Sequence, residues 1–289
     1  MDIGFVGVGS MAQAMIPLLL RAGYRVGVWN RSAGALSGLG DVGVLPSASA
    51  ALQAPVVISM LADDQAVKEV LLAPGVLQGA AKGCIHIVMS TLSPALIEQL
   101  ASQHEAFGLG LVAAPVFGIP AVAARGELNI LAAGDPAAIE RVQPVLDVFG
   151  KHTWRLGDRP VQACIAKVAG NMMISQAIEA LAEASHLTER HGLSAQAFIE
   201  VVTQTLFACP SYQRYGLNIV NGRYEPGFKL YLGLKDVDLA LAAGQAQGLS
   251  LPAASAVRRR MAAALERGLG SQDWSVLATV ADDLSEGGA

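Results

Sequence analysis

The chain has 289 residues, of which 53% are hydrophobic and 15% charged, and its net charge at neutral pH is −4. So much apolar surface excludes a disordered chain, and an ordinary share of glycine (31) and proline (13) excludes a collagen-like or low-complexity one. The acidic balance excludes a general basic footprint for nucleic acid, and the length fits two domains.

In chain order, short apolar runs at 3–6, 25–29, 56–60, 85–89, 110–113 and 129–132 read as strands. Helical patterns separate them at 11–22, 48–51, 64–71, 94–105 and 136–149. Alternation of this kind predicts an α/β fold with a Rossmann-type doubly wound parallel sheet. The character then changes. A long helical pattern runs from 163 to 189, interrupted only by Gly170, and further helices are expected at 195–205, 211–219, 235–246 and 252–267. An all-helical C-terminal domain, joined by that long helix, is the expectation. The turn-rich cluster Gly157-Asp158-Arg159-Pro160 sets the boundary, giving a nucleotide-binding domain over 1–160 and a substrate and dimerisation domain over 161–289.

Several features point away from other classes. Cys84, Cys164 and Cys209 are odd in number and widely spaced, which suits reduced core thiols rather than disulfides or a metal site. The five histidines have no ligand spacing; His186 and His191 are five apart, so no metal is expected. Met172-Met173 read as core packing, and Arg258-Arg259-Arg260 as a solvated helix face. No apolar stretch reaches the roughly 18 residues of a membrane span, and no secretory leader is expected, so the expected location is cytoplasmic.

Gly7-Val8-Gly9-Ser10-Met11-Ala12 matches G-x-G-x-x-G/A between a predicted strand and a predicted helix. Gly7 permits the tight turn, Gly9 leaves room for a pyrophosphate, and Ala12 allows close helix–strand packing. The helix N-terminus then offers N–H groups to phosphate. At the end of the second strand, where an acidic residue would hold the ribose of NAD, stand Asn30-Arg31-Ser32. A guanidinium suits a 2′-phosphate, so NADP(H) is expected over NAD(H); otherwise Arg31 is a solvated surface residue. Val8, Ser10, Met11, Leu61 and Ala62 complete the expected cofactor contacts.

Three further segments carry candidate chemistry. Ser90-Thr91-Leu92-Ser93-Pro94 lies at the C-terminal end of a predicted strand, the edge at which ligands bind such sheets. Thr91 can reach a ribose or a substrate oxygen, while Ser93 before Pro94 reads as a helix cap. Ala114-Pro115-Val116-Phe117-Gly118-Ile119-Pro120 is either a structural loop or, through Gly118, a nest of N–H groups for an anion. Lys167 and Asn171 share one helix face with Ile174 and Ile178. A lysine on a buried face is unusual, and burial draws an ammonium towards neutrality, where it can give a proton to a carbonyl oxygen as hydride arrives. The alternative is a lysine reaching out to solvent. Phe228, Lys235 and Asp236 lie in a segment that, read locally, is a charged helix start.

Taken together, these motifs resemble the β-hydroxyacid dehydrogenase family, which includes 3-hydroxyisobutyrate dehydrogenases and glyoxylate/succinic semialdehyde reductases. The resemblance begins at Gly4-Phe5-Val6-Gly7-Val8-Gly9-Ser10-Met11 and Trp29-Asn30-Arg31-Ser32. It continues through Ser90-Thr91 with Ser93-Pro94, Ala114-Pro115-Val116, Lys167-Val168-Ala169-Gly170-Asn171 and Lys235-Asp236 to Gln272-Asp273-Trp274-Ser275. It implies Lys167 as general acid/base and Thr91, Gly118 and Asn171 as substrate-positioning groups. It also implies Phe228 and Asp236 at the pocket edge, Lys235 and Thr91 on the cofactor, and a homodimer or homotetramer. The expected partner is a small carbonyl or hydroxy acid, with no nucleic acid and no membrane.

The sequence departs from the family pattern in the substrate loop. Ala113 stands where the family has Asp, Phe117 where it has a Ser that binds substrate carboxylate, and Ile119 where it has a second Gly. An aromatic ring in place of a hydroxyl is expected to weaken carboxylate binding and favour an apolar substrate group. Two alternatives follow: an NADPH-dependent imine reductase, against which Lys167 argues, and a catalytically silent NADPH-binding sensor.

Overall fold

The computed structural model describes residues 2–286, which fall into two compact units, Met1–Lys167 and Val168–Ala289. In the first, β1 (Asp2–Val6), α1 (Ser10–Arg21), β2 (Arg25–Trp29), β3 (Gly43–Val44) and α2 (Ala48–Ala51) lead into β4 (Val56–Ser59) and α3 (Asp64–Leu71). Then come β5 (Ile85–Val88), α4 (Pro94–Ala106), β6 (Gly110–Ala113), β7 (Val116–Phe117), α5 (Pro120–Ala123), β8 (Leu128–Gly134), α6 (Pro136–Phe149) and β9 (Gly150–Gly157). The sheet order is β3-β2-β1-β4-β5-β6-β8-β7, with β9 also paired to β8.

The order reverses at β1, with β2 on one side and β4 on the other, and the strands from β3 to β6 are parallel. Strands β4 and β5 are buried along their whole length, as apolar runs covered on both faces must be. Met15, Ile16 and Leu19 of α1 and Phe149 of α6 pack with Phe5, Ile58 and Ile87 of the sheet in one core.

Beyond β6 the sheet differs from the parallel expectation: β8 runs antiparallel to β6 and β7. β9 has no apolar run, because it pairs only with β8 and exposes Lys151, His152 and Arg155 in the manner of a protected edge strand. β3 and β7 have two residues each, too short for a periodic signal.

Helix α7 (Pro160–Arg190) runs across the division between the units. The second unit continues with α8 (Ala195–Gln204), α9 (Pro210–Val220), α10 (Leu230–Ala246) and α11 (Pro252–Glu266), then 3-10 turns at Leu269–Ser271 and Trp274–Glu286. Its core joins Ile178, Leu181, Leu230, Val237, Val257, Met261 and Trp274. Trp274 lies against Gly233, where an added Cβ would sit 2.6 Å from the indole, so only glycine permits that contact.

Three local expectations are corrected. Cys209 is exposed at the start of α9, whereas Cys84 and Cys164 are buried thiols. Met173 is exposed rather than in the core. Arg260 turns inward: its guanidinium lies 2.6 Å from the buried Glu179 and 3.0 Å from Glu183. Burial nonetheless pushes the Glu179 carboxyl up to about 7, against the pull of Arg260.

In the first unit, His86 and His104 are both buried. His104 Nδ1 lies 2.7 Å from the Leu100 carbonyl, which can only accept, so that nitrogen carries the proton. His104 Nε2 is then the acceptor for His86 Nδ1 at 3.0 Å, and His86 Nε2 accepts from the Ser59 hydroxyl at 2.8 Å. The chain of bonds therefore fixes both tautomers, with both rings neutral. Burial holds His86 well below the usual 6.5 and His104 at about 4. Unfolding takes up protons in that window, so stability present above pH 6.5 is lost as the pH falls towards 4. Thermal melts of the whole chain should show the loss, roughly 3 kcal/mol for His104 alone by linkage. The double variant H86L/H104L should be less stable at neutral pH, with a flatter acid limb.

Candidate active site

The first half of the site grows from the β1–α1 turn. Gly7 has φ +91°, and its N–H donates to the Trp29 carbonyl at 2.9 Å. A Cβ there would lie 2.5 Å from the Met60 carbonyl, so the turn closes only on glycine. A Cβ at Gly9 would meet nothing within 4 Å, and no side chain caps α1. An uncapped helix N-terminus beside open space fits a pyrophosphate. The Asn30 side chain shapes this turn: its Oδ1 accepts from the Val8 N–H at 2.9 Å, and its Nδ2 donates to the Ser32 carbonyl at 2.9 Å. Ser10 and Ser32 are exposed and Met11 is half-buried.

Arg31 is exposed and lies 3.3 Å from Glu69 of α3, whose other oxygen accepts from Gln65 at 2.7 Å. The Leu61 N–H donates to the buried Ser90 hydroxyl at 2.7 Å, which ties the ends of β4 and β5 together; Ala62 beside it is exposed. Thr91 is half-buried. Ser93 caps α4 by accepting from the Leu96 N–H at 3.1 Å, as its place before Pro94 predicts.

Phe117 and Lys167 come together. The ammonium stands 4.7 Å from the ring centroid, and Lys167 is only 9% exposed. The ring packs on the apolar patch of Ala113, Leu131, Ala133 and Ala163. Gly118 has φ +146°, and a Cβ there would lie 2.5 Å from a Leu128 methyl.

In the second unit, Asn171, one helical turn beyond Lys167 along α7, donates through Nδ2 to Asp236 Oδ2 at 2.5 Å. Lys235 Nζ lies 3.0 Å from Asp236 Oδ1. Asn171 and Asp236 are both buried. Phe228 packs edge-on against Trp274, with 4.9 Å between centroids.

Asp273, fully buried, holds that segment in place. Its Oδ2 accepts from the Gly227 and Phe228 N–H groups at 3.1 Å, and its Oδ1 from the Ser275 N–H at 3.1 Å and hydroxyl at 2.6 Å. The sequence marked Asp273 only as part of a motif, without a role. Ser90 likewise stood in a motif without a role. Glu69 gave no signal, because its partner is 38 residues away. Among the described residues, no group of three or more His, Cys, Asp or Glu side chains could hold a metal ion, and no helix is long and apolar enough to cross a membrane.

A sheet that reverses at β1, with a glycine turn opening α1, defines the Rossmann class of dinucleotide-binding proteins. Residues 2–170 match the NAD binding domain of 6-phosphogluconate dehydrogenase, and residues 162–281 the NAD-binding domain of NADP-dependent 3-hydroxyisobutyrate dehydrogenase. The chain is 37% identical over 282 residues to a Bacillus subtilis (strain 168) protein named uncharacterized oxidoreductase YfjR, covering 96% of this chain and 98% of that one. It is 32% identical to glyoxylate/succinic semialdehyde reductase 1 of Arabidopsis thaliana, covering 96% and 97%. The solved structure of Mycobacterium tuberculosis 3-hydroxyisobutyrate dehydrogenase with L-serine is similar with a TM-score of 0.87 at 28% identity, covering 97% and 99%. The chain belongs to the β-hydroxyacid dehydrogenase family.

Replacing Asp273 by Ala strands the buried N–H groups of Gly227, Phe228 and Ser275. The expected cost is about 3–5 kcal/mol, as for other buried charged acceptors. Denaturant unfolding measures it, and a loss below about 1 kcal/mol would contradict the clamp.

Proposed function

We propose that the chain is an NADPH-dependent oxidoreductase interconverting a carbonyl and a hydroxy compound, with Lys167 as the general acid/base. The observation that carries this reading is the buried ammonium of Lys167 on α7, in a chain of this family. When bound, the reduced nicotinamide supplies the hydride. Lys167 gives a proton from Nζ to the carbonyl oxygen in reduction and takes it from the hydroxyl in oxidation. Thr91, Gly118 and Asn171 orient the substrate, with Phe117, Phe228 and Asp236 bounding it, and Lys235 reaches the cofactor.

The turn from Gly7 to Met11 holds the pyrophosphate, and Leu61, Ala62 and Thr91 flank the cofactor. Arg31 leaves Glu69 to meet the 2′-phosphate, helped by Ser32, while Asn30 keeps the turn in shape. Residues 1–160 form the nucleotide-binding domain and 161–289 the substrate and dimerisation domain. Exposed Leu187, Val201 and Leu206 of the second unit support a homodimer or homotetramer, which we place in the cytoplasm.

Kinetics with both cofactors, on a panel of keto acids, semialdehydes, apolar ketones and imines, test this reading. The wild type should favour NADPH. R31A should lower kcat/KM for NADPH by roughly 10- to 100-fold, the worth of a charge-assisted bond, with little change for NADH. A clear preference of the wild type for NADH would overturn the assignment of Arg31.

A further inference from the structure

A carboxylate leaves water only where donors replace its hydration. From Ala113 to Ala124 the chain reads Ala-Ala-Pro-Val-Phe-Gly-Ile-Pro-Ala-Val-Ala-Ala, twelve residues without one side-chain hydrogen-bond donor. Within this segment Phe117 turns its ring to Lys167, so the ammonium already meets the negative face of an aromatic quadrupole. The ring is backed by Leu156 and Ala166 as well as Leu131 and Ala163, so its surroundings are apolar. In the second unit, taken by itself, the Asn171 and Lys235 donors each have a carboxylate partner. Asp236 holds the Asn171 amide and lies beside the Lys235 ammonium.

We propose that the substrates are carbonyl compounds without a carboxylate, carrying an apolar or aromatic group that packs on Phe117. This rests on Lys167 being the proton donor and on the assignment of Asn171 and Asp236 to the substrate. Phe117 then acts as the specificity-determining residue: its ring supplies an apolar wall and partly satisfies the Lys167 ammonium.

Two matched pairs of probes test the proposal. Turnover of butanal is compared with that of 4-oxobutanoate at saturating NADPH. Binding of phenylacetamide is compared with that of phenylacetate by calorimetry on the enzyme loaded with NADP+. In the wild type the neutral member of each pair should win by at least about tenfold, roughly 1.4 kcal/mol. Phe117→Ser should narrow the ratio by a similar factor, and Phe117→Leu, which keeps an apolar wall, should retain it.

A wild type that binds or reduces the carboxylate as well as its neutral partner would overturn the proposal. So would a Phe117→Ser ratio equal to that of the wild type, or reduction of neutral imines with no carbonyl reduced. Should Phe117→Ser not fold, the wild-type ratios decide alone. Lys167→Ala separates this proposal from the reading beneath it: turnover retained there removes the proton donor, while the calorimetric ratio still judges the substrate class.

Discussion

Removing an ammonium from water costs several kcal/mol, so a buried lysine needs a compensating partner. Lys167 has the face of the Phe117 ring at 4.7 Å. This contact joins the start of the longest helix to the two-residue strand β7, and both sit on the small apolar patch at the antiparallel end of the sheet. The chemistry assigned to the chain depends on it. A lysine reaching solvent would be an ordinary surface charge, whereas this one is held against a ring with 9% of its surface exposed.

Two other constraints hold the remaining parts. Gly7 lets β1 turn into α1 within van der Waals reach of the Met60 carbonyl, and Asn30 braces that turn from the end of β2. Asp273 does comparable work in the second unit, where it gathers the N–H groups of Gly227, Phe228 and Ser275 around one buried carboxylate. Both rely on a polar side chain replacing water for backbone groups that have no ladder partner, and both place their residues beside a helix that carries candidate site residues.

The sequence disclosed the parts of the fold that bury apolar runs. Strands at 3–6, 56–60 and 85–89 and helix 136–149 were legible because each presents an uninterrupted or helical apolar pattern, and the observed elements match them within a residue or two. β9 was hidden because an edge strand with one partner exposes Lys151, His152 and Arg155. The reversal of β8 was hidden because strand direction leaves no trace in a strand's own residues. In the site, Gly7 and Ser93 were legible because a turn and a cap demand those residue types. The Arg31–Glu69 pair and the ring over Lys167 were not, since each joins residues far apart in sequence. Arg260 was misread for the same reason: its carboxylate partners stand on another helix.

The most direct measurement is a single-turnover stopped-flow record of NADPH oxidation by the wild type and by Lys167→Ala, with NADPH affinity measured in parallel by fluorescence. If Lys167 is the proton donor, the variant binds NADPH within about twofold of the wild type while the chemical step slows by roughly 10²- to 10⁴-fold, the usual worth of general acid catalysis. A chemical step at the wild-type rate would contradict the account, and so would a loss confined to NADPH binding.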